Sequence, residues 1–297
     1  PGASEGAGGL GGADSPWAAI GAANGVLTFC RLPTEPAPAC GLRGCRIRSL
    51  DAAASVRAAH GNHLISSVKP CGTSGQAAVS SGLDGLLRLW DPETAEERTQ
   101  IITEHDRGIN DVAVAPCEDQ RLLCCGDDGR VLVYALESRP NGRPLCALDG
   151  HTAPAYCAAW TSPSTCATGG FDRRALLWDC RAHQGPVASL GARQHIYALA
   201  PLADSGGGAG TLAVALADGA IAQWDLRSVS REPLREMRGH SGSVEALAAL
   251  PGGVLASASA DGSLRIWDAA RTGERAWQWT AHSRAALTGV AAVMEDT

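Results

Sequence analysis

The chain has 297 residues, 45% of them hydrophobic, and a formal net charge of −6. That is enough chain for a large core, and a mildly acidic balance with no basic run argues against non-specific nucleic-acid binding. No apolar run approaches the roughly 20 residues of a membrane-spanning helix, and no secretory leader is recognisable, so no membrane insertion is expected.

Residues 1–15 are rich in Gly and Ala and read as a flexible lead-in, with one domain expected over 16–297. Pro1 rather than Met stands first, which leaves room for upstream sequence. Two strands are expected at Trp17–Ala23 and Gly25–Leu32, around the hairpin signal Asn24-Gly25. The segment Pro33–Arg46 reads as a surface insertion, with a further strand near Cys45–Leu50.

From there a pattern recurs. Asp84, Asp128, Asp172, Asp218 and Asp261 follow one another at intervals of 44, 44, 46 and 43 residues. Six residues after each stands Trp90, Tyr134, Trp178, Trp224 or Trp267, and four before stands Ser80, Cys124, Thr168, Val214 or Ser257. Further upstream come His60, His105, His151, Ala192 and His240. The last repeat shows the plan most fully: short apolar runs at Val244–Leu250, Val254–Ser259 and Ser263–Trp267, separated by Pro-Gly-Gly and Asp-Gly turns. A fourth strand is expected just beyond Trp267. His, Ser or Thr, Asp and Trp at these offsets can form one buried hydrogen-bond chain that fixes the strands.

With its Gly-His opening and Trp-Asp close, this unit resembles the WD repeat, one blade of a β-propeller. The resemblance covers residues 16–294 and implies an all-β propeller of four-stranded antiparallel blades. Six blades and seven both remain open. In the six-blade count, a first-strand pattern at Ala286–Met294 pairs with the N-terminal strands and closes the ring. The Asp128 repeat, with Cys124 and Tyr134, and the Asp218 repeat, without its His and Ser, are expected to be the softer blades.

Triads such as His151, Thr168 and Asp172 superficially suggest catalysis, but they recur, and an active site is needed only once. No catalytic residue, metal ligand or cofactor site is therefore assigned; His63, His195 and Cys71, the nearest candidates for a hydrolase, stand in no motif. The eleven cysteines form no CxxC pair and read as small buried thiols of a cytoplasmic or nuclear protein. Cys40 and Cys45 alone make poor evidence for zinc.

Binding is the better reading. The family resemblance places the residue before each turn Asp, and those flanking the start of each first strand, on the ring's narrower face. Those positions hold His63, Asn110, Asp127, Tyr156, Phe171, His195, Tyr197 and Glu245. Aromatic and polar groups together suit a protein or peptide partner, with a protein-interaction scaffold as the implied role. The competing account is that Tyr156 and Tyr197 only pack between blades. A second signal is Trp178-Asp179-Cys180-Arg181 and Trp224-Asp225-Leu226-Arg227, which is similar to the WDxR motif by which WD-repeat receptors dock onto the adaptor of cullin-RING ubiquitin ligases. Ala175 and Gln223 depart from its fuller pattern. Arg181 and Arg227 are the residues this alternative singles out.

Overall fold

Short apolar runs separated by Asp-Gly turns fold locally as antiparallel hairpins, because the turn Asp accepts a hydrogen bond from the amide two residues on. Leu86, Arg130, Arg174, Ala220 and Ser263 make this bond to their Asp at 3.2, 3.0, 3.2, 3.2 and 2.9 Å. In four of the five turns the next residue is a glycine with φ between 77° and 83°; in the Asp172 turn it is Arg173, with φ 62°.

The computed structural model describes residues 17–21, 27–31, 52–57, 59–61, 63–71, 77–116, 121–136, 143–182, 185–203, 209–228, 230, 232–270 and 275–280. Five four-stranded antiparallel sheets follow the five turn aspartates, each in simple chain order. The Asp84 sheet comprises Ile65–Cys71, Ala77–Gly82, Leu86–Trp90 and Glu97–Ile102. The Asp128 sheet comprises Ile109–Val114, Arg121–Gly126, Val131–Ala135 and Cys146–Leu148. The Asp172 sheet comprises Ala155–Trp160, Thr165–Gly170, Arg174–Asp179 and Ala188–Gly191. The Asp218 sheet comprises Ile196–Ala203, Ala209–Leu216, Ile221–Asp225 and Arg235–Met237. The Asp261 sheet comprises Val244–Leu250, Val254–Ser259, Ser263–Asp268 and Arg275–Thr280, so the expected fourth strand is present.

A sixth sheet, of three strands, precedes them: Trp17–Gly21, Leu27–Arg31 and Ala52–Val56. Its third strand lies later than the expected Cys45–Leu50, a segment outside the described residues together with the lead-in 1–15, the insertion Pro33–Arg46 and the closing segment Ala286–Met294.

Side chains alternate across each strand, so each sheet buries both faces against neighbours. Five apolar clusters result, each shared by two consecutive sheets; Trp160, Cys166 and Trp178, for example, meet Leu123, Val133 and Leu148 between the Asp128 and Asp172 sheets. Consecutive sheets touch through their first strands, which is the blade packing of a propeller. Polar stitches add direction between the Asp128 and Asp172 sheets. The Ala158 amide donates to Asp111 at 3.0 Å, the Asn110 side chain to the Ala155 carbonyl at 2.9 Å, and the Trp160 indole to the Ala113 carbonyl at 3.2 Å.

Candidate functional site

Three sheets carry the full hydrogen-bond chain. In the Asp84 sheet the Trp90 indole donates to Ser80 Oγ at 2.8 Å, Ser80 pairs with His60 Nε2 at 2.7 Å, and His60 Nδ1 pairs with Asp84 at 2.8 Å. The Asp172 sheet repeats this through Trp178, Thr168 and His151 at 2.8, 2.8 and 2.9 Å. The Asp261 sheet does so through Trp267, Ser257 and His240, at 2.8, 2.7 and 3.1 Å. With the indole and hydroxyl donating along the chain, each imidazole donates from Nδ1 to the carboxylate. All three histidine side chains are fully buried. These groups are mutually satisfied, and their geometry is that of a strut.

The two degenerate sheets are rewired. In the Asp128 sheet His105 still meets Asp128 at 3.0 Å, but Cys124 donates to the Leu132 carbonyl, and the Tyr134 hydroxyl accepts the Glu104 amide at 2.8 Å. His105 Nε2 is left buried without a partner. Burial is the main cause that pushes the Tyr134 hydroxyl up to about 12. In the Asp218 sheet Arg193 takes over the carboxylate, its Nε donating to Asp218 at 2.8 Å while the same guanidinium reaches Glu236.

The face read as a binding surface has a simple structural origin. The first strand of each of the five sheets shifts register at the same place: between Ile65 and Ser67, Ile109 and Asp111, Ala155 and Cys157, Ile196 and Ala198, and Val244 and Ala246. One residue is thus bulged out of each ladder: Ser66, Asn110, Tyr156, Tyr197 and Glu245. A bulge re-aims its side chain, and here the aliphatic before it is buried while all five bulged residues are half-buried. Sequence reasoning named four of the five. It passed over Ser66 because the Asp84 repeat has one more residue between its His and its first strand. His63, chosen instead, belongs to the turn that carries His60, its amide donating to the His60 carbonyl at 3.0 Å. Leu83, before Asp84, was also passed over and is exposed.

Four of the candidate residues form one aromatic group. Tyr156 stacks on Phe171 with centroids 5.1 Å apart and planes 18° apart, and Tyr197 stands edge-on to both, at 5.2 and 5.8 Å. His195 lies 5.0 Å from Phe171, and its Nδ1 meets the Phe171 carbonyl at 2.7 Å. Beside them Asn110 donates to Asp127 at 2.9 Å, and Glu245 accepts from Ser243. The Tyr156 hydroxyl is pushed above its ordinary pKa, first by burial and then by the charge of Glu245, with Asp111 adding to it. Tyr156 and Tyr197 therefore do pack across sheets, as the competing account had it, while also lining the face.

Arg181 and Arg227 lie at the opposite end of the sheets, after the third strands. Arg181 grips Asp179 through two side-chain bonds of 2.9 and 2.7 Å, which holds the carboxyl at about 2. Arg227 pairs with Asp225 through its Nε at 3.2 Å. Both guanidinium groups remain mostly exposed. Arg227 also borders a cavity of about 220 Å³ between the Asp218 and Asp261 sheets, lined in addition by Thr211, Gln223 and Leu234.

The cysteines resolved among the described residues are all buried and unpaired by disulfides. Burial raises the Cys71, Cys124, Cys125 and Cys157 thiols, Cys71 to about 11. Cys180 is the exception: hydrogen bonding with the Cys146 and Cys166 thiols lowers it. It is buried nonetheless, which keeps substrates from it. Among the described residues no cluster of His, Cys, Asp or Glu is arranged to hold a metal ion. Cys40 and Cys45 lie outside them.

Comparison with known proteins agrees with this architecture. The pattern of the WD domain, G-beta repeat, matches residues 53–91, 96–134, 142–179 and 231–268. The interval it passes over contains the first three strands of the Asp218 sheet, whose hydrogen-bond chain is missing. A ribosome biogenesis protein WDR12 homolog of Chlamydomonas reinhardtii is 25% identical over 233 residues, 66% of this chain and 51% of that protein. The E3 ubiquitin-protein ligase COP1 of Arabidopsis thaliana is 32% identical over 217 residues, 70% of this chain and 31% of that protein. A protein SEC13 homolog of Caenorhabditis briggsae is 34% identical over 86 residues, 27% of each chain. The chain thus spans about half or less of the length of these relatives.

Proposed function

The chain belongs to the WD-repeat family, and from that premise we propose that it acts as a non-catalytic protein-interaction scaffold, one domain in a multiprotein complex of the cytoplasm or nucleus. The observation that carries this reading is the row of bulged first-strand residues, which brings Tyr156 and Tyr197 together with Phe171 and His195 on one face. The groups that resemble a catalytic triad are struts closed on one another, so they have no free partner to offer a substrate.

The experiment is partner capture with mass spectrometry, comparing wild type with Phe171→Ala/Tyr197→Ala. Because these rings also pack on one another, Tyr197→Phe serves as the control that keeps packing. The double variant should lose partners that Tyr197→Phe retains, with the fold intact by melting. Equal capture by all three chains would remove the reading, and robust hydrolysis of ester, phosphate or peptide libraries that disappears in His195→Ala would replace it.

A second reading is that the chain is a substrate receptor docked onto a cullin-ligase adaptor. It is favoured by Arg181 and Arg227 standing exposed at equivalent places in neighbouring sheets, with the exposed aliphatics Val187 and Leu234 at the start of the adjoining outer strands. Arg181→Glu/Arg227→Glu should abolish co-purification of the adaptor. A wild-type chain that never brings the adaptor down would eliminate it.

A further inference from the structure

Among the five bulged side chains of the face, Ser66, Asn110, Tyr156, Tyr197 and Glu245, one carries a formal charge, and it is negative. The stacked Tyr156–Phe171 pair and the edge-on Tyr197 form a platform whose rings fix one another, so little ordering is needed before a ligand arrives. An aromatic platform beside a carboxylate attracts a cation twice, through the ring quadrupoles and through charge. The Tyr156 hydroxyl senses the same field, since Glu245 and Asp111 both disfavour its ionisation in addition to burial. Asp127 adds a further carboxylate on this face, held by Asn110. Lys69 lies three residues beyond the Ser66 bulge, farther along its strand, where its charge acts on Cys157 beneath the platform.

Resting on the scaffold reading, we propose that this face takes an extended peptide whose lysine or arginine side chain lies on the Tyr156–Phe171–Tyr197 rings with its charge directed to Glu245. The half-buried Asn110–Asp127 pair supplies polar partners for the peptide backbone, and Leu83, exposed next to Asp84, supplies an apolar contact farther around the face. The opposing possibility is an acidic peptide drawn to Arg173, which is exposed on the turn beside Phe171.

The test selects a phage-displayed library of random dodecapeptides on the immobilised full chain and counter-selects on the Phe171→Ala/Tyr197→Ala variant. Enriched peptides should carry Lys or Arg at one fixed position, and synthetic copies should bind more weakly as salt rises. Glu245→Gln, nearly isosteric at a half-buried site, should weaken those copies roughly two- to thirtyfold, the range that one cation–aromatic or exposed ionic contact spans. Replacing the fixed basic residue by norleucine should cost more, since it removes the ring attraction as well, and make binding indifferent to Glu245→Gln. Face-dependent peptides that lack a fixed basic residue, or carry a fixed acidic one that Arg173→Ala releases, would overturn the basic-ligand proposal and leave the scaffold face standing. A library that yields no face-dependent peptide would overturn both.

Discussion

In the Asp261 sheet the Trp267 indole donates to Ser257, Ser257 meets His240, and His240 meets Asp261. In the neighbouring Asp218 sheet Trp224 fills the same slot, equally buried, but its indole nitrogen has no partner. The histidine position is Ala192, and the space of the missing ring is taken by Leu216. The three sheets with a histidine facing a glycine show why. A Cβ on Gly82, Gly126 or Gly170 would stand 2.5, 2.8 or 3.1 Å from Nδ1 of His60, His105 or His151. Where the imidazole is kept the position is glycine or, in the Asp261 sheet, the small Ser259; without it the larger Leu216 joins Ala192, Val214 and Trp224 in an apolar cluster. One strand architecture is thus held by a polar strut in one sheet and by apolar filling in the next. Open pockets of about 220 Å³ border the Asp218 sheet on both sides, and Gln223 Oε1 is buried without a partner.

The largest effect that can break this contrast is removal of the tryptophans. Trp267→Ala should cost about 3–5 kcal/mol, because it leaves a large cavity and strips Ser257 of its donor. Trp224→Ala should cost less, since its indole makes no such bond. Chemical denaturation measures both, and equal losses would refute the strut.

Next in size is the exchange of leucine for imidazole. Leu216→Gly should destabilise by about 2–5 kcal/mol through the cavity it opens. Adding Ala192→His should recover more than 1 kcal/mol in the double variant, although Ala192→His alone meets Leu216 and destabilises. Independent, additive effects in a double-mutant cycle would mean that the two positions do not share one space.

A smaller effect separates the sheets by pH. Burial holds His105 and His151 below their ordinary value of 6.5, against the pull of Asp128 and Asp172. A depressed folded-state value means the unfolded chain binds the extra proton, so this stability is fully present above about pH 6.5 and is lost as pH falls toward the folded values. Asp84 and Asp128, also held below the usual carboxylate range, extend the loss at lower pH. Peptide-resolved hydrogen exchange between pH 7.5 and 5.5, corrected for intrinsic rates, should show the Asp128 and Asp172 sheets opening more readily, with the Asp218 sheet, which has no strut histidine, changing least.

The smallest effect concerns the turns. Arg173 holds a left-handed φ that glycine holds in the other four, so Arg173→Gly should stabilise by about 1 kcal/mol, read as a higher melting temperature.

Much of this was legible in the sequence because a strut needs particular atoms at particular offsets: Asp, Trp and His recur where the hydrogen bonds require them. The three strands of the last repeat could be read almost to the residue for the same reason. What replaced the strut was not legible. Leu216, Arg193 and the Tyr134–Glu104 bond fill space or join a loop to its sheet in one repeat each, and neither leaves a period in the chain. The face proposed for binding was half legible. Tyr156, Tyr197, Asn110 and Glu245 fall five residues after the His position, but the bulge that re-aims them is a property of paired strands, so an extra residue in the Asp84 repeat concealed Ser66.

The most direct test of the scaffold face is hydrogen exchange of the wild-type chain with and without its captured partner. Protection should appear at residues 65–67, 109–111, 155–157, 196–198 and 244–246, where the first strands bulge, strongest at Tyr156 and Tyr197. Protection confined to the outer strands or to the segments following Asp179 and Asp225 would contradict the account.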